Sequence, residues 1–206
     1  MLKGSPETFA VRRNLYQARL MFWLFIASLT MFFAACIGVY LLLIYGLRHP
    51  PEGAVNPPTY NPLEMPISFV PSTVLLLVTS GLLHEASRKI AAERRKPFLS
   101  YVRWSLYTSL FFLVVQGLAL TTLLQQHYEL IGGYGINRMN GVCFAFALIH
   151  GLHVVGGVGY ILYIDYFGRR GLYDHERHWA VDHCAWYWHF LDVVWLAMLL
   201  TFWLTQ

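Results

Sequence analysis

Five stretches of this chain are apolar over lengths that a water-soluble fold rarely needs. They fall roughly at residues 20–46, 67–83, 104–124, 140–164 and 181–204. About 20 apolar residues cross a hydrocarbon layer of roughly 30 Å as a helix. In that layer no water satisfies the backbone, so a spanning segment must pair its own N–H and C=O groups, which a helix does. The expected fold is therefore all-α: an integral membrane bundle of five transmembrane helices, forming a single membrane domain over residues 1–206. Only 13% of the residues are charged, against about 25% in soluble domains, and the loops are too short to build a separate core.

The charges that remain sit between the apolar runs. Of the 15 Lys and Arg residues, thirteen lie in three segments: Lys3, Arg12, Arg13 and Arg19; Arg88, Lys89, Arg94, Arg95, Lys96 and Arg103; Arg169, Arg170 and Arg177. Only Arg48 and Arg138 lie in the other two. Basic residues stay on the cytoplasmic side, so the N-terminus is expected inside and the C-terminus outside. The net charge of +4 is thus a topology signal and not a nucleic-acid footprint. The polar leader to Arg19 lacks a small-residue cleavage site, and the run after it exceeds the length of a signal core, so it reads as the first span. Pro50, Pro51, Pro57, Pro58, Pro62 and Pro66 keep the first loop from being helical. Cys36, Cys143 and Cys184 are odd in number and lie in apolar surroundings, which reads as small fillers without a disulfide framework or metal set.

Ionisable groups occur inside two of the spans. His150 and His153 share one helix face at i, i+3, and His189 and Asp192 repeat the spacing. Each such group costs about 2.5–3.5 kcal/mol on insertion scales. These four side chains are expected to meet between the fourth and fifth helices as a polar seam, with Gly151, Gly156, Gly157 and Gly159 permitting close approach. Three uses are open: haem ligation by histidines on facing helices, a proton or ion path, or packed pairs that fix register. Two histidines on one helix cannot clamp both faces of one haem, and the first three spans supply almost no acids for a relay. The weight falls on packing, which Trp186, Trp188 and Trp195 favour.

Two blocks carry a family resemblance. His150-Gly151-Leu152-His153-Val154 with Gly157, and the run Trp186-Tyr187-Trp188-His189-Phe190-Leu191-Asp192-Val193-Val194-Trp195, resemble the signature blocks of haem–copper oxidase subunit III. Pro62-Leu63-Glu64-Met65-Pro66, then Ser72 to Leu76 and Ser80-Gly81, resembles a third block in its expected place. The likeness covers roughly residues 14–205 and resembles the short bacterial form, with the last five of seven helices. It implies a non-catalytic core subunit of a proton-pumping respiratory oxidase in the bacterial cell membrane. Such a subunit packs against subunits I and II, which hold the haem and copper, and binds no cofactor itself. It also binds phospholipid, supports proton uptake and complex stability, and can adjoin other respiratory-complex subunits.

By the same resemblance, His153, Arg169 or Arg170, and Asp182 (in place of a glutamate) stand where the family contacts lipid. Two acids that the family often carries are replaced: Leu29 follows Ser28, and no acid follows Gln116 in the third span. The electron donor is open between cytochrome c and quinol, with the Trp-Tyr-Trp-His block closer to the cytochrome c branch. The alternatives are a subunit-III-like accessory of a nitric oxide reductase system and a free-standing membrane b-type cytochrome. Asp174, His175, Glu176, His178, Asp182 and His183 lie within ten residues. They form either a proton antenna feeding the partner's uptake mouth or a solvated loop.

Overall fold

Hydrocarbon leaves the backbone no external partner, and each apolar run accordingly forms one helix. The computed structural model describes residues 6–49, 69–131, 138–173 and 178–205. It contains α1 (Pro6–Arg48), α2 (Phe69–Ala91), α3 (Arg95–Ile131), α4 (Arg138–Arg169) and α5 (Trp179–Leu204). All five are long and apolar enough to cross a membrane, and no strand occurs among the described residues. The proline-rich segment with its Pro62–Pro66 block lies largely outside them.

The helices outrun the apolar stretches. α3 begins nine residues before Trp104, and α4 continues through Asp165 to Arg169. The loop expected from Asp165 onward is thus partly helix. Backbone bonding does not stop where the hydrocarbon stops, and Asp165 pairs with Arg169 one turn later at 2.5 Å, the i, i+4 spacing that supports a helix end. Similarly, the basic segment between the second and third spans is a tight turn. Only Ala92, Glu93 and Arg94 separate α2 from α3, with Glu93 at φ 57° and Arg94 N–H donating to Lys89 O at 2.9 Å. The other cations ride on the helix ends.

Consecutive helices α2, α3 and α4 run antiparallel. Thr79 Oγ1 donates to Thr108 Oγ1 at 2.8 Å across α2 and α3, and Phe98 and Leu99 of α3 close over Gly168 of α4. α5 then packs between α2 and α4, and α1 lies along α5 in the same direction. Phe22 stacks on His183 at one end of that pair, and Tyr40 hydroxyl meets Thr205 Oγ1 at 2.9 Å at the other. α5 is the most enclosed of the five helices, with Trp188, Leu191 and Trp195 fully buried.

Lipid tails are as apolar as leucine, so helix association here rests on close packing and hydrogen bonds. Gly157 shows the closeness: a methyl group added there would sit 3.1 Å from the Trp188 ring. Several small hydroxyls inside the spans also bond within their own helices. Ser72 donates to Phe69 O, Thr79 also to Leu75 O, Ser105 to Val102 O and Ser109 to Leu106 O, the back-bonding open to small hydroxyl side chains. The three cysteines are free thiols, Cys143 and Cys184 buried and Cys36 partly so.

Candidate functional site

The polar groups of α5 reach two neighbouring helices, α4 and α2. Tyr187 hydroxyl donates to His153 O on α4 at 2.9 Å. His189 Nδ1 bonds Ser80 Oγ on α2 at 2.5 Å, and its Asp192 neighbour is 3.8 Å away on the same helix. Trp195 Nε1 donates to Thr73 Oγ1 on α2 at 2.9 Å while its ring stacks on His150 of α4. The expected seam is therefore divided. His150 and His153 do not meet His189 and Asp192 between α4 and α5. Trp188 occupies the α4-facing position, and one residue further is a rotation of about 100°, which turns His189 onto α2. His153 Nδ1 bonds the Ile149 carbonyl of its own helix at 2.8 Å and lies against Phe33 of α1.

His150 is completely buried between Trp195 and Phe33. Both its ring nitrogens, both amide atoms of Gln116 and Asp192 Oδ1 lack a hydrogen-bond partner among the described residues. Counting eighteen residues along α3 from Phe98, and eighteen back along α4 from its neighbour Gly168, brings Gln116 level with His150. Two unpaired polar side chains thus share one depth in the bundle.

The basic end of the bundle holds a second group. Asp165 is buried, with Arg169 Nη2 at 2.5 Å and Arg103 Nε at 3.9 Å. Arg170 stacks its guanidinium 4.2 Å from the Tyr166 ring. An open groove of about 560 Å³ runs past Gly159, Leu162, Tyr163, Asp165, Tyr166 and Arg169. Nearby, Arg95 Nη2 donates to Gly168 O and to Arg169 O at 3.3 and 2.9 Å, closing the C-terminus of α4, where Gly171 turns the chain at φ 76°. Tyr173 packs its ring edge-on to Phe98, and burial, aided by Tyr163 and Cys184, pushes its phenol up to about 12.

The expected lipid contacts are not one cluster. His153 stands sixteen residues from Arg169 on α4, about 24 Å along the axis. Asp182 lies at the start of α5, where its Oδ1 accepts from Ser87 and its Oδ2 is 3.4 Å from His178 Nε2. Of the loop cluster, Asp174, His175 and Glu176 lie outside the described residues. His178 and Asp182 stay together, while His183 turns inward and stacks flat on Phe22. The sequence assigned no contact to Asp165, Ser87 or Ser80, the last noted only as part of a family block. Asp165 had a usable signal in Arg169 four residues on; the two serines had none, because a hydroxyl in a span ordinarily bonds its own helix.

A sequence profile described as "Cytochrome c oxidase subunit III" matches residues 3–205. Among curated proteins, "Cytochrome c oxidase subunit 3" of Locusta migratoria is 29% identical over 185 residues, taking in 86% of this chain and 65% of that protein. The protein of the same description from Ornithorhynchus anatinus is 30% identical over 183 residues, 85% of this chain and 64% of that protein. The protein so described from Petromyzon marinus is 28% identical over 153 residues, 74% of this chain and 54% of that protein. The match thus spans less than two thirds of the length of each of these relatives. With the profile running almost end to end over a membrane bundle of five helices, the chain belongs to the cytochrome c oxidase subunit III family.

Proposed function

We propose that this chain is a non-catalytic core subunit III of a proton-pumping respiratory haem–copper oxidase, which reduces O₂ to water. The haem and copper belong to partner subunits I and II. The observation that carries this reading is the fate of the Trp186–Trp195 block. Its buried aromatic side chains are spent on packing, with Trp188 closed against Gly157 and Trp195 against His150 and Thr73. A block used in this way supports a scaffold more than a reaction centre. The distribution of Lys and Arg supports an N-terminus on the cytoplasmic face of a bacterial cell membrane.

Lipid contact is assigned to the basic rim. Arg103, Arg169 and Arg170 outnumber Asp165 by three to one and flank a groove whose lower wall is apolar. A phosphate can take charge-assisted bonds from such arginines, with an acyl chain lying along Gly159 and Leu162. His178 and Asp182, with Asp174, His175 and Glu176, are the residues that would serve proton uptake at that face. The donor is taken to be cytochrome c.

Purification of the tagged chain from membranes in mild detergent tests the reading. The expected result is a stoichiometric complex that consumes O₂ and carries the haem and copper on other chains. Deleting the chain should leave the partner's spectrum intact and shorten its active lifetime. A partner that reduces nitric oxide in place of O₂, or a stoichiometric Soret band on the isolated chain, overturns it.

A further inference from the structure

Two imidazoles stand side by side where α2 and α5 meet at the surface of the bundle. His84 of α2 and His189 of α5 have ring centroids 5.6 Å apart and planes inclined at 57°. His84 is exposed, and the His189 side chain is 40% exposed. Among the described residues His84 makes no hydrogen bond. His189 makes one, through Nδ1 to Ser80 Oγ at 2.5 Å.

The His189 ring is held as a metal ligand is held. The Asp192 carboxylate lies 3.8 Å from Nδ1, which favours the proton on that nitrogen, where Ser80 Oγ accepts it. The Nε2 lone pair is then left free. A ligating histidine has its other N–H held in this way, which fixes tautomer and ring orientation. The separation of the rings also suits a shared ion. A Zn–N bond of about 2.0–2.1 Å puts each ring centroid about 3.2 Å from the metal, so two imidazoles at a tetrahedral angle stand about 5.2 Å apart. That is within a few tenths of an ångström of the distance found. Gly81, three residues before His84, has nothing within 4 Å of where a side chain would begin, which leaves room for waters on the ion. His84 lies one turn before Arg88 and Lys89, at the basic boundary, so an ion arrives from water without crossing hydrocarbon. The charge of those two residues is partly offset by Glu85, which pairs with them at 2.8 and 3.5 Å.

We infer that His84 and His189 form a labile site for a divalent transition-metal cation of the Zn²⁺ class, with Ser80 and Asp192 orienting His189. Imidazole suits such ions, whereas Ca²⁺ and Mg²⁺ take oxygen ligands. Among the described residues no third His, Cys, Asp or Glu completes a metal-binding group, so water fills the remaining positions and the ion exchanges. The site is separate from the haem and copper assigned to partner subunits, and it does not rest on that assignment.

Calorimetric titration of Zn²⁺ into the full chain, produced without oxidase partners and purified in detergent through a tag free of histidine, provides the test. The expected result is one equivalent bound at sub-millimolar free ion, with a rise in unfolding midpoint as the ion is added. His84→Leu and His189→Phe should each weaken binding by about tenfold or more, and Ser80→Ala, which leaves both ligands in place, by about tenfold. Because His84 is exposed, His84→Leu should unfold at the midpoint of the unsubstituted chain when no metal is present. His178→Ala, which breaks the His178–Asp182 pair at the same boundary, should bind as before. Cu²⁺ used as a paramagnetic probe should show coupling to two imidazole nitrogens, falling to one in either histidine variant. No Zn²⁺ binding by the unsubstituted chain, binding unchanged by His84→Leu, binding lost in His178→Ala, or Cu²⁺ coupled to other than two nitrogens each overturns the inference and leaves the proposed function standing.

Discussion

Single polar side chains decide where this bundle is tight and where it is costly. Gln116 is buried in α3 with both amide atoms unpaired among the described residues, and a buried polar group left without a partner costs about 1–3 kcal/mol. Gln116→Leu keeps the volume and removes that cost. Its unfolding midpoint in detergent should equal or exceed that of the unsubstituted protein; a fall of several degrees would mean the amide is bonded. Tyr173 gives a pH-dependent case. Its phenol is raised from 10.0 to about 12 by burial first and by its neighbours second. The folded state then holds a proton that the unfolded state releases between those values, so this group's contribution is complete below pH 10 and is lost as pH climbs towards 12. Tyr173→Phe should flatten the decline in stability over that window, read from unfolding midpoints across an alkaline series.

At the scale of helices, the α4–α5 contact depends on one missing side chain. Gly157→Ala would press a methyl group to 3.1 Å from the Trp188 ring and should cost about 1–3 kcal/mol as an overpacked core does. Gly159→Ala, two residues on and open to space, should be neutral or gain up to about 1 kcal/mol from helix propensity. Chemical unfolding of the two variants side by side checks the contrast. The existence of the five helices was legible because spanning length and apolar content are enough to specify them. Their ends were not, since Asp165 and the arginines around it look like loop residues until the i, i+4 pair is seen on α4. Nor could the facing of the histidines be read. A helix apolar all round has no polar face to mark which side meets its neighbour, so His189 was expected to face α4, whereas it bonds Ser80 of α2.

For the whole molecule, the asymmetry of Lys and Arg makes a directional statement. A cysteine placed at Arg94, in the α2–α3 turn, should react with membrane-impermeant maleimide only after the cytoplasmic side is opened. One placed at His49, exposed just beyond α1, should react from outside in intact cells. The reverse pattern would invert the assigned topology. The family was legible from the 150–157 and 186–195 blocks, and the site was legible only as residue types. The side chains expected to form one seam serve separate contacts: His153 lies against Phe33 of α1, His189 bonds Ser80 of α2 and His150 stacks on Trp195 of α5.

The partnership of α1 with α5 has a consequence in time. Tyr40 meets Thr205, 165 residues away, and Phe22 and Phe25 rest on His183 and Tyr187. A ribosome adding about 5–20 residues per second needs on the order of 8–30 s between releasing the end of α1 and delivering the far end of α5. Throughout that interval α1 sits in the bilayer with its docking surface open, and α2, α3 and α4 can pair through adjacent, locally connected contacts. The bundle is thus expected to close in two stages, a hairpin-built trio first and a ring-closing step last. An insertase or chaperone acting on this chain has its natural substrate in the waiting first helix.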